Sequence, residues 1–231
     1  VKRNDIYVLA GTVALLLPFF VSETVYNFYV DFNANHGMIT SFIKFAVLAT
    51  FGEAIGLRIR TGAYNHPGFG LLPRAVIWGM LGLTIKLAFV LFASGVPVFL
   101  AYMGLESAPT AIKAYFTWSK LFVAFSISLL MNVIYAPIMM TIHKITDTHI
   151  MNNGGTLSCL LKPIKFGDIL PSINWKVQWE FVFAKTIPYF WIPAHTITFL
   201  LPADFQVLFA AILSVALGVF LAIASLKGSG K

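Results

Sequence analysis

Hydrophobic residues fall in six long blocks parted by short polar stretches, with none of the narrow apolar striping of a soluble amphipathic helix. About 20 apolar residues suffice to cross a bilayer as a helix. On that measure the blocks predict spans at about 6–26, 38–57, 73–103, 111–142, 175–199 and 205–226. The expected fold class is all-α: one polytopic transmembrane helix bundle covering the whole chain. Several blocks exceed the minimum, so tilt or extension into the interface is expected. The first block resembles a signal peptide, but no small-x-small cleavage site follows it, so it reads as a span. Val1 in first place suggests that a methionine or more precedes it. Gly228-Ser-Gly-Lys231 reads as an appended tail without function.

Composition agrees with the pattern. Hydrophobic residues make up 58% and charged residues 11% of the chain, where a soluble domain carries about 25% charged residues. The net charge of +7 is explained by basic loops rather than by nucleic acid, since no Lys/Arg run is dense enough to form a phosphate-binding face. With Cys159 as the only cysteine, an intrachain disulfide and a thiolate metal cluster are both excluded.

Loop charges predict the topology. With the N-terminus inside, the inner segments hold Lys2, Arg3, Arg58, Arg60, Arg74, Lys144, Lys162, Lys165, Lys176, Lys227 and Lys231. The outer loops hold Glu23, Asp31, Glu106 and Asp204, with Lys113 the one basic residue near them. This asymmetry favours six spans with both termini on the cytoplasmic side. The alternative joins the fifth and sixth spans as one re-entrant unit. A cytoplasmic loop is expected at about 143–174, with 157–170 lying on the inner leaflet or running as an ordinary irregular loop.

The stretch 174–199 carries the chemistry around which the bundle is expected to form. Lys176, Glu180 and Lys185 lie in or beside an apolar block, with Pro188, Pro193, His195 and many aromatics. A charge at membrane depth costs about 3 kcal/mol and is usually turned toward the bundle interior or a wet cavity. Pro188 and Pro193 each remove a helix hydrogen bond, so a kink is expected, with His195 just beyond it. Lys44, Glu53, Lys86 and Lys120 are the other charges inside spans. Lys86 falls near mid-span, with no short route to either interface, and is expected beside Glu53 or Glu180. Lys44 and Lys120 are expected to snorkel. Four lysines against two glutamates predict an electropositive interior that favours anions.

The remaining candidates are weaker. Gly52 and Gly56 form a small-xxx-small pattern, read as close helix packing. Asn132 is expected to bond across helices, or else to touch a permeant species. His195 is expected to bond a carbonyl freed by the kink, with a proton relay as the sharper alternative. His143 and His149 do not have a standard metal-ligand spacing, so no metal or other cofactor is expected. No Gly-rich phosphate loop, Ser/His/Asp set or carboxylate dyad stands out, so no enzyme is expected.

Gly52-Glu53, Arg74 at the start of the third span, Met131-Asn132 with Ala136-Pro137, and Tyr189-Phe-Trp-Ile-Pro193-Ala-His195 occur in the order of known family motifs. In these residues the chain resembles a divergent member of the Mpv17/PMP22 family of small membrane proteins. Leu57 and Ile197 stand where that family has Gln and Arg, so roles at those positions do not carry over. The family's Gly-Pro of the third span and tryptophan of the last helix are also missing, and the N-terminal span is extra or unusually well developed. The resemblance implies an organelle membrane, mitochondrial inner or peroxisomal, and a pore or transport of small solutes. Composition alone fits a bacterial inner membrane equally. The expected function is a pore or transporter for small anionic solutes; the alternative is a non-transporting structural, assembly or accessory subunit. Expected partners are the lipid bilayer, a small solute, and further copies or a larger membrane complex.

Overall fold

The computed structural model describes residues 2–228, with side chains only to residue 223. Lys231, and the side chain of Lys227, which entered the topology argument, lie outside this description. Among the described residues the structure is helical, without a strand. Four helical stretches are long and apolar enough to cross a membrane: Arg3–Val21, Gly37–Thr61, Leu71–Tyr102 and Ala203–Ile223. A fifth arises if Trp118–Ile134 and Ala136–Asn152, bent by 43° at their junction, form one crossing.

Two compact units divide at Thr40. The first contains α1 (Arg3–Leu16), α2 (Pro18–Val21) and α3 (Glu23–Asn35). Pro18 opens α2, where its missing N–H breaks no helix bond. Ser22 caps α3 by accepting from the Val25 N–H at 3.4 Å. Phe19 and Tyr29 meet edge to face, 5.6 Å between centroids. Leu9, Phe20 and Val21 are exposed, as suits a helix solvated by lipid.

The second unit starts within α4 (Gly37–Thr61) and holds α5 (Leu71–Tyr102), the short α6 (Ala108–Ala111), α7 (Trp118–Ile134) and α8 (Ala136–Asn152). After a 3-10 turn at Leu157–Leu161 come α9 (Phe166–Ser172), α10 (Trp175–Val177), a π-helical segment Gln178–Trp191, α11 (Ile192–Leu200) and α12 (Ala203–Gly228). Phe45 of α4, Phe89 of α5, Ile127 and Met131 of α7, Phe199 of α11 and Ala211 of α12 belong to one buried core.

Close helix approach accounts for Gly52. A Cβ there would stand 2.8 Å from the Val215 Cα, and one on Gly218 would stand 3.1 Å from the Gly52 carbonyl oxygen. Helices α4 and α12 therefore cross backbone to backbone, as the small-xxx-small pattern suggested. Gly70, at φ 74°, precedes α5 and meets Gly155, at φ 68°, from the turn after α8. Both need the left-handed region, and a Cβ on Gly155 would lie 2.7 Å from the Gly68 backbone.

The first block is interrupted at Ser22 rather than running to 26, and the fourth block differs from the sequence reading at three points. The fourth block does not run straight from 111: α6 ends at Ala111, and Thr117 caps a new helix by accepting from the Lys120 N–H at 3.0 Å. That helix breaks at Tyr135, because Pro137 in the next turn cannot donate and re-starts the ladder as α8. Helix α8 then continues through His143 to Asn152, so the irregular stretch begins at Asn153 rather than 143. There His143 meets Glu53 of α4, Asp147 meets Arg74 of α5, and Thr146 and Thr148 bond carbonyls within α8.

Pro188 and Pro193 change the helix register. From Gln178 to Trp191 the backbone bonds five residues apart, and the Ile192 N–H still reaches the Ile187 carbonyl. The α register resumes at Ile192, with Pro193 in the first turn where no donor is needed.

Candidate functional site

Glu53 sits at the centre of a polar cluster built by three helices. Arg74 near the start of α5 gives Nη1 to Glu53 Oε2 at 2.5 Å and pairs through Nη2 with Asp147 of α8. Its Nε donates to the Phe69 carbonyl at 2.7 Å, and its guanidinium lies 4.3 Å from the Phe69 ring centre. Trp78, one turn beyond Arg74, donates its indole N–H to Glu53 Oε1 at 2.9 Å. His143, one turn before Asp147, lies with Nε2 3.0 Å from the same oxygen. A carboxylate only accepts, so Nε2 carries the hydrogen and Nδ1 is left to serve something else. The imidazole also rests on the Trp78 ring, 4.3 Å between centroids. Arg74 is buried, and each of its three guanidinium nitrogens has a partner.

A second polar group joins α7 to α11. The Asn132 side-chain nitrogen donates to the Ser128 carbonyl at 2.8 Å, and its amide atoms lie 3.0 Å and 3.2 Å from His195 Nδ1. Ser128 donates to the Ile192 carbonyl at 2.7 Å. His195 packs against Trp191 and meets the edge of Phe89, at centroid distances of 5.1 Å and 5.6 Å. Asn132 thus makes the cross-helix bond expected of it. His195 does not use a carbonyl freed by a kink: its imidazole faces α7, where Asn132 is the partner.

A cavity of about 310 Å³ touches both groups. Glu53, Trp78 and His143 line it, and so do Asn132, Trp191 and His195. Between them the walls are apolar, with Phe45, Phe89, Met131, Met139 and Phe181. Lys144 and Gln178 also line it. Gln178 is 6% exposed, yet no hydrogen bond to its amide occurs among the described residues.

The other anticipated residues lie elsewhere. Lys86 does not line the cavity and has neither Glu53 nor Glu180 as an ion-pair partner among the described residues. Arg74 and His143 already fill the two oxygens of Glu53, and Lys86 lies instead within charge range of Lys44. Lys44 is buried and lies within charge range of Asp204 as well as of Lys86. Lys120 bonds the Ala114 carbonyl at 2.8 Å. Glu180 and Lys185 are both exposed on the outer face of the π segment, because that register turns them away from Gln178 and Thr186. The anticipated lysine-rich lining is therefore absent: among the described lining residues, Glu53 and Lys144 carry the fixed charges.

Sequence reasoning missed Arg74, Trp78, His143 and Asp147 as a set. Two signals were present. Arg74 with Trp78, and His143 with Asp147, are both spaced by four, which places each pair on one helix face. Outside the spans, His149 donates Nε2–H to the Cys159 carbonyl at 2.9 Å, and burial pushes the Cys159 thiol pKa upward. No group of three or more His, Cys, Asp or Glu suited to a metal occurs among the described residues. No family model matches the chain, and no curated protein or solved structure does either.

Proposed function

We propose that the chain is a polytopic membrane protein that admits a small solute to the cavity between its two polar groups, as a pore or transporter. The observation that carries this reading is the cavity itself: apolar walls with a few hydrogen-bonding groups at separate points are the usual make-up of a small-molecule site. Its volume is about twice that of an engineered protein cavity of about 150 Å³ that holds benzene. The break at Tyr135 and the register change at Ile192 support movement, since both lie in cavity-lining helices and both interrupt a rigid ladder.

Six crossings, with 175–199 as the fifth and both termini on one side, complete the proposal. The loop charges support it. The Mpv17/PMP22-like motifs fit the same class of function, and Gly52 and Asn132 of those motifs have packing and cross-helix roles here.

One feature favours the rival, an architectural subunit. The Glu53–Arg74–Asp147 network staples α4, α5 and α8 with its charges satisfied. Flux decides between them. The purified chain in proteoliposomes is expected to speed entry of at least one small solute from a panel of carboxylates and neutral compounds. Ser214→Phe, which fills the cavity, is expected to stop that entry while the protein stays folded. Equal entry into protein-free vesicles for every solute favours the architectural reading.

A further inference from the structure

We propose that the cavity takes a small organic acid with an apolar body, bound as its carboxylate together with one proton held by His143. The inference rests on the proposed solute-binding role and names the class of solute.

The walls require an apolar body. Phe45, Phe89, Met131 and Phe181 supply them, and a strongly hydrated ion such as phosphate would lose its water there without replacement. Three polar groups in the lining remain available for a head, among them the buried Trp191 indole N–H, which has no hydrogen bond among the described residues. Lys144 has no ion pair among the described residues, and the Gln178 amide has no hydrogen bond among them. Glu53 is unavailable, since both oxygens are occupied. An ammonium and an amide N–H are donors, so the matching head is an acceptor, and a carboxylate suits an ammonium best.

Charge balance supplies the proton. The groups facing His143 are Glu53 from α4, Arg74 from α5 acting through Glu53, and Lys144 and Asp147 from α8. Among the lining residues of the π segment and α12 there is no ionisable side chain. Glu53 and Asp147 cancel Arg74 and Lys144, so the set is neutral while His143 is neutral. A carboxylate entering alone adds an uncompensated negative charge in a medium that screens poorly. Imidazole is the side chain that changes charge near neutral pH. His143 Nε2–H stays on Glu53, and Nδ1 gains the proton. The acid's O–H bond is the one broken overall, with its proton on Nδ1 and its electron pair left on the carboxylate. The bound set is neutral again, and the net species taken from water is the neutral acid.

Calorimetric titration of the purified chain in nanodiscs of zwitterionic lipid tests this, using benzoate, benzamide and inorganic phosphate at neutral pH. Two buffers of different ionisation enthalpy count the protons. Benzoate is expected to bind with uptake of about one proton per anion, as a single imidazole allows. Benzamide is expected to bind about tenfold more weakly or worse, for want of a charge-assisted hydrogen bond. Phosphate is expected not to bind. His143→Gln keeps a donor for Glu53 and is expected to abolish the proton uptake. Lys144→Met is expected to weaken benzoate but not benzamide, and with the wild-type proton count it decides the matter where H143Q does not fold. Benzamide binding as tightly as benzoate, or benzoate binding without proton uptake, overturns the inference and leaves the cavity a solute site. Failure of both aromatic probes to bind, with no flux in proteoliposomes, overturns the inference and the proposed function together.

Discussion

Arg74 Nη1 stands 2.5 Å from Glu53 Oε2, although the two residues lie on different helices and twenty-one positions apart. Breaking a buried pair from one side strands the other charge, at about 3–5 kcal/mol. Arg74→Met is therefore expected to lower unfolding stability by about that amount, because Glu53 and Asp147 both lose their cation. The double variant Glu53→Gln with Arg74→Met is expected to recover part of the loss. Denaturant unfolding in lipid micelles reads both.

Gly52 makes the close crossing of α4 and α12. Gly52→Val is expected to destabilise by about 1–3 kcal/mol or more, the usual range for overpacking, because the obstruction is Val215 backbone and cannot swing aside. Gly11→Ala is the matched control, since a Cβ there meets nothing within 4 Å, and it is expected to be neutral. Thermal unfolding of the two variants gives the comparison.

Long apolar blocks made the helical class legible, because a continuous apolar run leaves few other folds open. Gly52 and Asn132 were legible too, one as a small residue in a packing pattern and one as an amide that must find a partner in an apolar span. The site itself was misplaced. Lys86 drew attention by depth alone, and depth does not say which way a side chain points. Glu180 and Lys185 were placed inward on the cost of a charge at membrane depth, and the π segment leaves both exposed. His143 and Asp147 were given to a loop because polar spacing hid an α-helix whose polar face meets Glu53 and Arg74.

Lys86 now has a different expectation. With Lys44 as a neighbouring like charge and no acid paired to it among the described residues, Lys86→Met is expected to leave stability unchanged or slightly raised. A clear loss of stability on unfolding in micelles would show a partner that this account does not assign.

The π register aligns Gln178, Val182, Thr186 and Trp191 on the cavity. An α-helix of 3.6 residues per turn would carry Trp191 roughly 0.6 of a turn round from Gln178. Pro188→Ala restores a donor inside this segment and is expected to favour the α register, turning Gln178 away from the cavity. In a Cys159→Ser background, a cysteine at position 178 is expected to lose its protection by a cavity ligand when Pro188→Ala is added.

Cys159 is buried, and its thiol is held toward the protonated form. Thiolate is the reactive species, so alkylation at mildly alkaline pH is expected to be much slower than for a free thiol. Denaturation is expected to release the block. Maleimide labelling with and without denaturant checks this.

Solvent access to the cavity tests the central claim most directly. Ser214 lines it from α12, and a cysteine placed there in a Cys159→Ser background reports whether water-borne reagents arrive. The account predicts that a membrane-impermeant thiol reagent labels this position in sealed vesicles from at least one side, and that Met140→Trp in the same cavity slows the labelling. A cysteine at 214 that stays unlabelled from both sides, in a protein shown to be folded, would mark the cavity as sealed and contradict a path for solute.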